Sequence, residues 1–160
     1  MPSSIFLSLP IALLLATLTA CSDDSSPDEG AGACNPLRPA GPFISETVVG
    51  TKPVPQGGSL SAGTYVLTAM AGDKGDAVPR RDLLSITTPD KSSLQIDWST
   101  EQQGGEITIR SGSVAITSAT ELTFLWACPT LQNEAASGYT SDGTTLTVFG
   151  ALGTLTFQRQ

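Results

Sequence analysis

From Gly63 onward, apolar residues recur at every second position in short runs, and turn-forming residues interrupt them about every 8 to 12 positions. The clearest run places Leu94, Ile96 and Trp98 on one face and Gln95, Asp97 and Ser99 on the other. Leu122, Phe124 and Trp126 repeat the period, as do Leu146 with Val148 and Leu155 with Phe157. Turn chemistry separates the runs: Gly72-Asp73-Lys74-Gly75, Gln102-Gln103-Gly104-Gly105, Ser111-Gly112 and Asp142-Gly143, the last a strong two-residue hairpin signal. No stretch is long enough for a helix that crosses a sheet, so the connections are tight and neighbouring strands must be antiparallel. A sheet with one apolar face must fold over or close, and closure removes its exposed edges. The pattern predicts an all-β fold: a small antiparallel up-and-down barrel of about eight strands, with a two-sheet β-sandwich as the alternative.

The inward set expected from this alternation is Leu67, Leu84, Ile96, Trp98, Ile107, Val114, Leu122, Phe124, Trp126, Leu146, Val148 and Phe157. Leu131 to Ala136 reads as a single helical turn. The region before the barrel, 34–62, is irregular and proline-rich, with Pro36, Pro39, Pro42, Pro53 and Pro55.

Composition removes several function classes. The net charge is −7, against a nucleic-acid binder, which needs clustered Lys and Arg. There is no histidine, the commonest general base and metal ligand. No nucleotide-binding glycine motif, nucleophile elbow or zinc-protease signature occurs. No catalytic residue, metal ligand or cofactor is assigned, and the chain is read as a non-enzyme. Asp73 and Asp76 read as a charged hairpin tip and match no calcium loop. Asp82, Glu101 and Glu121 would form a glycosidase-like carboxylate pair only by tertiary coincidence. Arg80-Arg81 reads as an exposed basic doublet in a loop.

The N-terminus points to a destination. Residues 1–20 carry no charged side chain, and their apolar run is about 14 residues, short of the roughly 20 needed to span a bilayer. Length and position read as a signal peptide, without the usual Lys or Arg at its start. The run ends in Leu18-Thr19-Ala20-Cys21, which resembles the lipobox of bacterial lipoproteins. That resemblance implies a diacylglycerol on the Cys21 thiol, cleavage after Ala20 and acylation, such as palmitate, of the new amine; several acyl chains anchor far more firmly than one. Residues 21–33 then read as a disordered acidic tether, with four of the fifteen acids and no large apolar residue. Ser22 after the lipidated cysteine resembles outer-membrane sorting, so the expected location is the bacterial cell envelope, on either face of the outer membrane.

With Cys21 lipidated, Cys34 and Cys128 remain, an even number in an oxidising compartment. A disulfide between them is the expected pairing and closes a loop of about 95 residues. A catalytic or metal-binding cysteine is the alternative, disfavoured by the absent histidine.

Gly63-Thr64-Tyr65-Val66-Leu67-Thr68, Cys128-Pro129, Tyr139 to Thr147 and the closing Thr156-Phe157-Gln158-Arg159 resemble small bacterial lipocalin-like lipoproteins. The resemblance covers about 95 residues, 63–160, and implies a barrel sealed by its opening G-x-Y-x-L-T and closing T-F-x-R strands. The lipocalin G-x-W is absent, and Tyr65 stands at the aromatic place. Barrels of about eight strands lie between filled interiors and one-ligand cavities. The first functional expectation is a monomeric binding module holding a small apolar ligand near Trp98, Phe124, Trp126 and Tyr65. The alternative is a solid-cored envelope interaction or structural lipoprotein, or an enzyme inhibitor, acting through loops with apolar residues such as Phe149, Leu152 or Leu125.

Overall fold

The computed structural model describes residues 34–160, apart from 91, 92 and 152. The expected signal peptide, the tether and Cys21 therefore lie outside the described residues, as does Leu152. Among the described residues there is no helix. Eleven strands follow one another: β1 Glu46–Val48, β2 Gly57–Gly58, β3 Gly63–Gly72, β4 Arg80–Asp90, β5 Ser93–Gln102, β6 Ile107–Ile116, β7 Glu121–Cys128, β8 Gln132–Asn133, β9 Ser137–Ser141, β10 Thr145–Gly150 and β11 Gly153–Arg159.

Strands β3 to β7 run up and down as a meander, and β9 to β11 continue it. Antiparallel pairing of β11 with β3 and of β7 with β9 closes an eight-stranded barrel. The barrel, not the sandwich, is the fold. Its seam joins the two segments singled out in the sequence: Phe157 pairs with Leu67, Gln158 with Val66 and Arg159 with Tyr65. The Asp142-Gly143 turn links β9 to β10, with Gly143 at a positive φ of 87°. Asp142 Oδ1 accepts the backbone N–H groups of Thr144 and Thr145 at 2.8 and 2.6 Å.

The lead-in segment is more ordered than its prolines suggest. The β3–β4 ladder covers only Gly63 to Val66, and beyond it the two strands diverge. Chain from before the barrel takes up the freed backbone groups: β1 pairs in parallel with Met70 to Gly72, and Ile44 bridges Arg80. At the opposite end β2 pairs with Thr140 and Ser141 of β9. Cys34 is disulfide-bonded to Cys128 at the end of β7, with Cα atoms 5.5 Å apart. Asn35 then crosses the outside of the barrel, its amide donating to Asp97 Oδ1 and Ser111 Oγ.

Three sequence expectations need correcting. Leu131 to Ala136 is not a helical turn, because the edge of β7 offers backbone partners that outweigh local helix propensity. Asn133 pairs with Leu125 and Gln132 with Trp126. Ile107 does not enter the core: it lies seven positions, an odd offset, from inward-facing Val114, so a strand with no bulge between them points the two to opposite sides. Arg80 and Arg81 do not form a loop doublet; they open β4. Arg80 points into the barrel, and Arg81 points outward to Glu101, its guanidinium 4.9 Å from the Phe43 ring centre.

Tyr65, Leu67, Met70, Leu84, Ile86, Ile96, Val114, Leu122, Phe124, Trp126, Tyr139, Leu146, Val148 and Phe157 form the core. Most of them fill the end at which β3 begins; Met70 lies toward the other end, where β3 pairs with β1, and Phe124 and Val148 reach the space between. Two tyrosines seal that end to the chain beneath it: Tyr65 Oη donates to Ser61 O at 2.7 Å, and Tyr139 Oη to Gly58 O at 2.9 Å.

Candidate functional site

At the other end the barrel is open. The inward positions of β4, β5 and β6 change character along the strand. On β5, Ile96 gives way to Trp98, Thr100 and Gln102; on β4, Leu84 gives way to Asp82 and Arg80; on β6, Val114 and Gly112 give way to Arg110 and Thr108. Arg80, Trp98, Thr100, Gln102, Thr108 and Arg110, with Glu106, Phe124, Val148, Phe149, Leu155 and the stretch from Glu134 to Ser137, bound a cavity of about 620 Å³. That lies in the range of roughly 300–1,000 Å³ typical of small-molecule sites.

The floor is aromatic. Trp98 meets Phe124 and Phe157 edge-on, with ring centres 5.6 Å apart in each case, and Phe124 stacks on Trp126 at 5.3 Å. Trp98 is only partly buried and lines the cavity with Phe124. Of the other two residues expected here, Trp126 is buried behind Phe124, and Tyr65 lies at the closed end. Trp126 Nε1 has no hydrogen-bond partner among the described residues, whereas Trp98 Nε1 donates to Asp82 Oδ2 at 3.0 Å.

Two arginines stand in the wall, held in different ways. Asp82 has no exposed surface, and its carboxylate faces the Arg80 guanidinium through both oxygens. Arg80 Nη2 also donates to Thr100 Oγ1 at 3.0 Å. With the Trp98 indole donating as well, Asp82 is satisfied on every side, which a buried charge requires. Arg110 instead meets Glu134 Oε1 at 2.5 Å in a half-exposed pair, and its guanidinium lies 5.6 Å from the Trp126 ring centre.

A bulge places Glu134. Both β8 and β9 pair with β7, but the register moves by one residue between them: Asn133 faces Leu125, while Ser137 faces Leu122. Residues 134–136 therefore oppose only Thr123 and Phe124. Such an extra residue bends the strand and re-aims its side chains. Glu134 N still donates to Phe124 O at 3.0 Å, so the bulge is anchored where it begins.

Sequence reading missed Arg80, Arg110, Glu134, Val148 and Leu155 as cavity residues. Strand parity carried a signal for two of them, since Arg80 is four residues from inward Leu84, and Arg110 four from inward Val114. Of the remaining carboxylates considered, Glu101 lies outside the barrel on Arg81, and Glu121 is exposed beside Ser118. Asp73 pairs with Lys52 at the surface, 3.0 Å away. Among the described residues no cluster of three or more His, Cys, Asp or Glu is placed to hold a metal ion. No protein-family model, no curated protein and no solved structure matches this chain.

Proposed function

We propose that this protein is a lipoprotein, anchored through Cys21 in the outer membrane of a bacterial cell envelope, whose barrel holds a small, largely apolar ligand. The observation that carries the reading is the 620 Å³ cavity at one end of an otherwise filled barrel, with Trp98, Phe124, Val148 and Leu155 among its lining residues. Apolar surface on that floor is covered when a ligand enters, at about 25 cal/mol per Å² before the costs of association. The cavity weighs against a solid-cored protein acting only through its loops. The disulfide lies at the mouth end of β7, so Cys34, the first described residue, sits on the side where the cavity opens.

Residues 34–160 contain every described strand, the core and the disulfide, so the domain from Ser22 onward is the unit to test. Native mass spectrometry of that domain, purified from the periplasm without detergent, is expected to show a bound species released on unfolding. A bare mass after incubation with a lipid extract overturns the reading. Intact mass of the full-length protein from membranes is expected to show acyl chains on the Cys21 peptide, and an unmodified Cys21 removes the anchor.

A further inference from the structure

The two arginines of the cavity differ in what they leave for a ligand. Arg80 is committed: Nε and Nη2 are taken by Asp82 and Thr100, inside a network that also holds the Trp98 indole. Arg110 makes a single side-chain hydrogen bond among the described residues, to Glu134. Its guanidinium carries five N–H donors in a planar fork, a shape that matches an oxyanion through two parallel bonds. Strand β6 and the Trp126 ring fix the position of Arg110. Glu134 belongs to the bulge, outside the regular ladder, and its side chain is 31% exposed.

Resting on the ligand-binding reading above, we propose that the cavity selects amphipathic anions. The apolar body of the ligand lies on Trp98 and Phe124, and its carboxylate, sulfonate or phosphate replaces the Glu134 carboxylate on Arg110. Glu134 is then a resident counter-ion: it keeps Arg110 paired while the cavity is empty and leaves it when a better-fitting anion arrives. A cationic ligand finds only Glu106, an exposed carboxylate in the cavity lining that has no arginine among the described residues beside it to fix its position. Asp82 is already saturated, and taking Glu134 from Arg110 strands a guanidinium against an indole ring.

Three amphiphiles with the same chain and different heads test this by calorimetric titration of the Ser22–Gln160 domain, below their micelle concentrations: dodecanoate, dodecanol and dodecyltrimethylammonium. Dodecanoate is expected to bind about tenfold more tightly than dodecanol, as charge-assisted hydrogen bonds imply, with the ammonium weakest. Arg110→Gln is expected to bring the dodecanoate-to-dodecanol ratio close to one. Arg110→Lys, which keeps the charge but loses the fork, retains part of the ratio and guards against a fold defect in the glutamine variant. Glu134→Gln is expected to raise dodecanoate affinity several-fold. Equal binding of dodecanoate and dodecanol, tightest binding of the ammonium, or a ratio that survives Arg110→Gln overturns the anion selectivity and leaves the ligand cavity standing. Absence of binding by all three overturns both.

Discussion

The two ends of the barrel are built from the same strands and have opposite contents. At the closed end the inward positions are Tyr65, Ile86, Ile96, Leu122, Tyr139, Leu146 and Phe157, each at most 2% exposed. At the mouth the same strands turn Arg80, Asp82, Thr100, Arg110 and Thr108 inward. Alternation alone therefore does not decide whether a barrel is filled; how far up each strand the apolar residues continue does. Stability is concentrated at the closed end, and the mouth is free to carry polar chemistry that a packed core would not tolerate.

Mutations that cross this division are the strongest test of it. Asp82→Ala sits at the boundary and leaves Arg80 and the Trp98 indole without their acceptor. It should cost about 3–5 kcal/mol, as removal of one partner of a buried pair does, read as a lowered midpoint in chemical denaturation. Leu146→Ala acts within the closed end alone. A loss of about 2–5 kcal/mol is expected there, with the affinity of the mouth for amphiphiles little changed.

Gly112→Ala probes the floor between the two ends. An added Cβ would stand 2.2 Å from Leu125 O, a backbone atom of the neighbouring strand. Overpacking of this kind costs about 1–3 kcal/mol, and because Gly112 faces Trp126 in the ladder, near-ultraviolet circular dichroism should change with it. By contrast, Glu134→Gln at the mouth should alter stability by less than about 1 kcal/mol, as for other half-exposed pairs. A large loss there would mean that the bulge supports the fold.

The smallest effect belongs to the hairpin at the closed end. Hydrogen bonds from the backbone of Thr145 and Thr144, and from the Thr144 hydroxyl, hold the exposed Asp142 carboxyl below its ordinary value of 3.8. A lowered folded-state value adds stability above the ordinary value, and that stability is lost as pH falls through the lowered one. Asp142→Asn should therefore flatten the acid limb of a melting-temperature profile below about pH 4 and leave the neutral region parallel to the parent.

The closed end was largely legible in the sequence, because Leu122, Phe124 and Trp126 or Leu146 and Val148 state their period directly. The seam was legible in the residues of β3 and β11 that resemble sealing strands. The mouth was less so. The Arg80-Arg81 doublet reads as loop, and an arginine on a strand such as Arg110 reads as a solvated residue, although their parity with Leu84 and Val114 sets both Arg80 and Arg110 inside. Glu134 reaches the cavity through a one-residue register shift, which depends on how β8 meets β7 and leaves no local mark. Tyr65 shows the converse: an aromatic ring at a conspicuous place belongs to the sealed end, because its hydroxyl finds Ser61 beneath the barrel.

The seam between β3 and β11 also sets an order of events. It joins positions 65 and 159, while the other ladders within each meander join strands close in sequence. Local hairpins pay little loop-closure entropy and form early; a contact of such separation comes late. Until β11 arrives, β3 and β10 each present an unpaired edge, and half-made barrels of this kind adhere to one another. A nascent chain thus remains vulnerable until its last barrel strand is delivered, and any factor that shields β3 during synthesis would act on yield without touching the finished molecule.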